Sequence, residues 1–197
     1  MLRPLLLALF VLTVPAVAQP LQVGQPLPEP SLSLTDARGG DVVIGELAGT
    51  NGLVVVFWSN VCPWTERYAE RLVALARDYV PAGIGFVAVN ANDSTRFPDE
   101  DVATMRLTAD RAAFSFPSVV DDGGRLADAL GARTTPQVFF FDSSMILRYE
   151  GAIDSSPADL SRIDDPYLQD AMDLILAGRE VEIQATNALG CTIKRSD

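Results

Sequence analysis

The 197-residue chain is long enough for one domain with a substantial core, and 48% hydrophobic against 21% charged residues is a globular balance. A formal net charge of −11 argues against nucleic acid and anionic lipid as partners. With no histidine and only two cysteines, the chain has no His–Cys nucleophilic pair, no histidine general base and no complete zinc site of its own, so no metal and no cofactor is expected.

Residues 1–18 read as a secretory signal peptide: Arg3 gives a basic start, residues 5–14 an apolar stretch, and Ala16-Val17-Ala18 a small-residue cleavage site. The apolar stretch is too short to span a bilayer and Pro15 interrupts it, so no stable membrane insertion is expected after cleavage. Residues 19–197 then form a single exported domain, with a bacterial periplasm as the expected compartment. Residues 31–35 and 41–44 alternate as a hairpin around the turn at 36–40. Residues 53–58, Leu-Val-Val-Val-Phe-Trp, are apolar throughout, as in a strand buried on both faces. The period then changes: Trp64, Tyr68, Leu72, Leu75 and Tyr79 fall on one helical stripe that ends before Pro81. Residues 84–90 predict a second buried strand. Residues 99–114, carrying Val102, Met105, Leu107 and Ala109, predict a weakly amphipathic helix with acidic residues at its start, and residues 116–120 a short strand. A turn at 121–124 leads to a helix at 125–130 closed by Gly131; strands at 138–141 and 145–149 follow. After a loop at 155–165 comes a helix at 166–177, and 179–197 is a tail holding Val181, Ile183, Leu189 and Cys191. The order is that of an α/β sandwich: a central mixed sheet flanked by helices, with an N-terminal hairpin and a C-terminal tail.

Cys62 stands where the buried strand hands over to the amphipathic helix. Pro63 suits the first helical turn, where its missing N–H is no loss. A thiol there feels the free N–H groups and the positive end of the helix dipole, which favour the reactive thiolate. Two cysteines in an exported protein default to one disulfide. The seven residues from Gln184 to Cys191 reach about 23 Å if extended, enough to lay Cys191 over Cys62. Two readings follow. The pair is a permanent staple, worth about 5 kcal/mol for so long a loop, or Cys62 is the nucleophile and Cys191 the resolving thiol. The acid pairs Asp121-Asp122 and Asp164-Asp165 read as solvated turn residues, and Asn92-Asp93-Ser94 meets the N-glycosylation acceptor pattern.

Phe57-Trp58-Ser59-Asn60-Val61-Cys62 resembles the strand-to-active-site stretch of the thioredoxin-like superfamily, and Val61-Cys62-Pro63-Trp64-Thr65-Glu66 resembles the peroxidatic loop of peroxiredoxins. With Gly190-Cys191-Thr192-Ile193-Lys194 at the end, residues 23–194 resemble the peroxiredoxin-like branch of bacterial redoxin proteins (the alkyl hydroperoxide reductase and thiol-specific antioxidant type). The resemblance implies a thioredoxin-like fold and a cis proline at Thr135-Pro136 shaping a substrate groove beside the thiol. It implies that Ser59 and Thr65 hydrogen-bond the thiolate and that Trp64 lies on the substrate side. Thr65 stands where thioredoxins carry their second cysteine, so no local dithiol exists. The peroxiredoxin proline position holds Val55 and the thioredoxin buried-acid position Val56; for the peroxide-binding arginine, Arg133 is near the expected place but out of register, and Arg67 is on the helix that follows Cys62. The resemblance favours a peroxide substrate, and these departures favour a protein disulfide. An external thiol reductant is implied in either case. The rival reading is a non-catalytic binding module with a structural Cys62–Cys191 disulfide.

Overall fold

A computed structural model of the chain describes residues 20–157 and 162–195. The segment read as a signal peptide lies outside the described residues, as do residues 158–161 of the loop expected at 155–165. In chain order the elements are β1 (Ser33–Asp36), β2 (Asp41–Val43), β3 (Gly52–Phe57), α1 (Pro63–Tyr79), β4 (Ile84–Asn90), α2 (Val102–Arg111), β5 (Ser118–Val120), α3 (Arg125–Leu130), β6 (Thr134–Thr135), β7 (Gln137–Asp142), β8 (Leu147–Gly151), α4 (Tyr167–Leu176) and β9 (Cys191–Thr192).

Hydrogen bonds join the main strands in two runs, β2-β1-β5-β4 and β3-β7-β8. The runs meet where β3 lies beside β4 and the Trp58 N–H donates to the Val89 carbonyl at 2.8 Å. The β4–β5 pairing is parallel, while β1–β2, β1–β5, β3–β7 and β7–β8 are antiparallel, which makes the sheet mixed as expected. The apolar run of β3 is explained by layers on both faces. Val54 and Val56 pack on one side with Tyr68, Leu72 and Ala76 of α1 and Leu168 and Met172 of α4. Leu53, Val55 and Phe57 pack on the other with Leu126, Ala127 and Leu130 of α3. β7 alternates in the same way: Val138 and Phe140 face the first layer, Phe139 and Phe141 the second.

Two expectations are corrected. The buried stripe of α1 is Thr65, Tyr68, Leu72, Ala76 and Tyr79; Trp64 and Leu75 sit at its edge, because the stripe is rotated by about one residue from the one read off the large side chains. The helix expected at 99–114 is shorter. A 3-10 turn at Pro98–Glu100 precedes Asp101, whose side chain accepts the Thr104 N–H at 2.7 Å and caps α2. Only Met105 and Ala109 of α2 are buried, and Leu107 is 64% exposed. The expected C-terminal tail carries a short strand of its own: β9 pairs antiparallel with β6, matching Thr134 to Thr192 and Thr135 to Cys191.

Candidate active site

β3 ends at Phe57, and four residues carry the chain to Cys62, the N-cap of α1, with Pro63 at the first helical position. The buried Thr65 hydroxyl is held between two carbonyls of this turn, 2.8 Å from Ser59 O and 2.7 Å from Cys62 O. One side chain thereby closes the strand-to-helix turn. Farther along α1, Arg71 Nη1 pairs with Asp154 Oδ2 at 2.6 Å and Tyr68 Oη donates to Asp154 Oδ1 at 3.2 Å, tying the cysteine-bearing helix to the chain after β8. Burial first, and the Asp154 charge second, push the Tyr68 phenol above the usual tyrosine range.

Cys62 and Cys191 form a disulfide across 129 positions, with Cα atoms 6.1 Å apart. Cys62 is 3% exposed, whereas Cys191 is partly open to solvent. The Thr135–Pro136 peptide is cis. Thr135 is buried against the cysteines: its carbonyl oxygen lies 3.2 Å from Cys62 Sγ, and its hydroxyl donates to the Cys191 carbonyl at 3.4 Å. Gly190 fits only as glycine, because a Cβ there would stand 2.2 Å from the Thr135 carbonyl oxygen. The tail continues along the same edge, with Ile193 N–H donating to Arg133 O at 2.9 Å and the Ile193 side chain in the second core layer.

A residue that sequence reasoning missed joins these segments. Glu100 is 1% exposed. Its Oε1 accepts the Ser59 hydroxyl at 2.6 Å and Lys194 Nζ at 3.2 Å; its Oε2 accepts the Asn60 N–H at 2.9 Å and Asn90 Nδ2 at 3.1 Å. In the sequence Glu100 sits in the acidic run Asp99-Glu100-Asp101 and looks like a solvated helix start. Nothing local distinguishes it from its neighbours.

The remaining site residues are placed as follows. In this disulfide form the Ser59 proton goes to Glu100 and the Thr65 proton to backbone, so neither hydroxyl donates to Cys62 Sγ. Ser59 and Thr65 do line a cleft of about 460 Å³ beside Cys62, with Trp58, Val61, Glu66 and Arg111 on its walls. Trp64 is outside that cleft, half-buried, with the Arg67 guanidinium 5.2 Å from its ring centroid. Arg111 of α2, singled out by no motif, is among the residues that line the cleft, and Arg67 and Arg133 are not. Val55 and Val56 are fully buried core residues. Asn92 is 6% exposed; its amide donates to Asn90 Oδ1 at 2.7 Å and its oxygen accepts Lys194 N–H at 2.9 Å, so it is a structural residue rather than an open glycan acceptor. Asp121 is likewise no solvated turn residue. It is buried and accepts the Leu126 and Ala127 N–H groups at 3.0 and 2.8 Å, capping α3. Burial pushes its carboxyl up, and those two hydrogen bonds oppose the shift. Among the described residues no helix is long and apolar enough to cross a membrane.

A mixed sheet with helices on both faces, a cysteine capping the helix after a central strand, and a cis proline lying against that cysteine define a thioredoxin-like thiol protein. The chain belongs to the AhpC/TSA family, whose model matches residues 23–150 and so includes Cys62 and Pro136 but ends before Cys191. It is 35% identical over 103 residues to a thiol-disulfide oxidoreductase, ResA, from Halalkalibacterium halodurans, a match covering 52% of this chain and 54% of that protein. The chain thus spans about half the length of the curated relative it matches. Among solved structures, a hypothetical protein from Sinorhizobium meliloti 1021 superposes with a TM-score of 0.82 at 30% identity, covering 90% of this chain and 97% of that one. An uncharacterized conserved protein from Geobacillus kaustophilus does so with a TM-score of 0.82 at 30% identity, covering 89% and 93%.

Proposed function

We propose that this chain is an exported thiol–disulfide oxidoreductase whose working couple is Cys62–Cys191. The observation that carries the reading is the disulfide itself: it joins both cysteines of the sequence, one capping α1 and the other on a tail strand laid beside the cis proline. In the reduced enzyme the helix N-terminus favours the Cys62 thiolate. That thiolate attacks one sulfur of a substrate disulfide, forming a mixed disulfide and releasing one substrate thiolate. The Cys191 thiolate then attacks Cys62 Sγ, closing the internal disulfide and releasing the second. The substrate gains two electrons and the enzyme loses them. An external dithiol resets the pair, and the difference in exposure directs its attack to Cys191, with Cys62 leaving as the better-stabilised thiolate.

The similarity to a named thiol-disulfide oxidoreductase supports a disulfide substrate. The second reading, a peroxide oxidising Cys62 to a sulfenic acid that Cys191 condenses to the disulfide with loss of water, is favoured by the AhpC/TSA match and by Arg111 in the cleft. The leader pattern at residues 1–18 and the disulfide support export to an oxidising compartment. A Cys191→Ser variant tests the assignment. Given a disulfide-bonded peptide, it should accumulate a mixed disulfide at Cys62, seen as the peptide's mass on the intact protein; given hydrogen peroxide instead, it should react slowly. Rapid sulfenic acid formation without the mixed disulfide selects the peroxide reading. No adduct with either reagent contradicts both and leaves the binding module.

A further inference from the structure

The tail that carries Cys191 and the turn that leads to Cys62 share one buried anion. The two carboxylate oxygens of Glu100 take four donors, and these come from three parts of the chain: Ser59 and Asn60 just ahead of Cys62, Asn90 at the end of β4, and Lys194 three residues after Cys191. Lys194 is the only cation among these four partners, and its Nζ also lies 4.8 Å from the Phe97 ring centroid. Its backbone is fixed as well, with Lys194 N–H donating to Asn92 Oδ1 and Lys194 O accepting the Asp93 N–H, both at 2.9 Å.

A buried carboxylate is tolerated where it is paired and fully hydrogen-bonded. If the tail lifts away, Glu100 keeps three neutral donors and loses its counter-charge. An open tail is therefore disfavoured by the anion it leaves behind, over and above the β6–β9 ladder and the burial of Ile193. We propose that Glu100 is a positioning residue for the Cys62–Cys191 couple, holding the turn before one cysteine and the lysine after the other in a single seat so that ring closure is favoured. It touches neither sulfur and acts through Ser59, Asn60 and Lys194. In the dithiol form the pair raises the effective concentration of Cys191 at Cys62. By linkage, closing the disulfide strengthens the Glu100–Lys194 contact by the same factor. The inference rests on the reading that the two cysteines cycle.

The test equilibrates the full chain, Glu100→Gln, Lys194→Met and the double variant in glutathione buffers, with thiols alkylated and counted by intact mass. Thermal unfolding of each oxidised protein runs alongside. Each single variant should lower the dithiol-to-disulfide equilibrium constant about tenfold, or about 30 mV for this two-electron couple. The double variant should fall no further than the lower single, because both remove one contact. Equilibrium constants within about twofold of wild type, with only the oxidised melting temperature reduced, would overturn the proposal, as would fully additive effects. Lys194 is partly exposed, so Lys194→Met supplies the answer if Glu100→Gln does not fold. A wild-type pair that no buffer interconverts overturns the cycling reading and this inference with it. A wild type that cycles beside unmoved variants overturns this inference alone.

Discussion

Cys62 is defined by its position in the fold. It caps α1, it is buried beneath the tail, and its sulfur faces the Thr135 carbonyl at 3.2 Å. Both cysteines and the cis Thr135–Pro136 peptide were legible in the sequence, the cysteines because they are the only two and the proline because the family pattern marks its place. The hydrogen-bond partners were not legible. A hydroxyl three residues from a thiol looks free to serve it, but Ser59 serves Glu100 and Thr65 serves two carbonyls, since buried groups settle with whichever acceptors the fold brings near. Gly190 was part of the recognised ending, and the geometry supplies its reason. Gly190→Ala places a methyl against the Thr135 carbonyl and should lift the tail, slowing re-formation of the Cys62–Cys191 disulfide by about tenfold or more on the strength of lost effective concentration. Stopped-flow or quenched reoxidation followed by thiol alkylation measures this, and an unchanged rate would show that the tail closes without the tight approach at Gly190.

At the scale of elements, hydrophobic runs were the dependable signal. β3, β4 and β7 are buried on both faces, so their apolar runs survive any choice of register. α1 and α3 carry clear punctuation: Pro63 opens α1, and Gly131 closes α3 in the left-handed conformation at φ 76°. The 99–114 pattern is only weakly amphipathic and sets no sharp boundary; Asp101 caps α2 at Val102, and Val102 and Leu107 are exposed. β9 is two residues long and its partner β6 is equally short, so neither has a periodicity to read; only the fold joins them. The contrast between α1 and α2 has a measurable consequence. Leu72→Ala in α1 removes a fully buried side chain and should cost about 2–5 kcal/mol. Leu107→Ala in α2 removes an exposed one and should stay within about 0.5 kcal/mol. Urea unfolding of the oxidised proteins distinguishes them, and equal losses would mean that α2 packs more closely than its exposure indicates.

For the molecule as a whole, one sheet with a core layer on each face positions every part of the site. The strand that ends at the Cys62 turn, the cis-proline loop that leads into β7 and the tail that returns Cys191 all converge at one end of β3. The same burial makes the fold sensitive to alkali. Desolvation holds the phenols of Tyr68, Tyr79 and Tyr149 above their usual range, so their folded pKa values exceed the unfolded value of about 10. The stability they contribute is complete below pH about 10 and is lost as pH rises through the folded values. Tyrosinate absorbance from these residues should therefore appear together with loss of far-ultraviolet circular dichroism; ionisation of all four tyrosines well before unfolding would contradict their burial. The central claim is that the Cys62–Cys191 bond is made and broken as part of the protein's chemistry, and thiol counting addresses it most directly. Fully reduced protein lacking residues 1–18 is mixed with one equivalent of a disulfide oxidant, sampled over seconds to minutes, alkylated and weighed, with the linked peptides mapped. The expected result is loss of both thiols within one chain, a Cys62–Cys191 peptide pair, and recovery of both thiols on adding a dithiol. Two thiols that persist unchanged, or a disulfide that resists the dithiol until the protein unfolds, would contradict a redox couple and return the bond to the status of a structural staple.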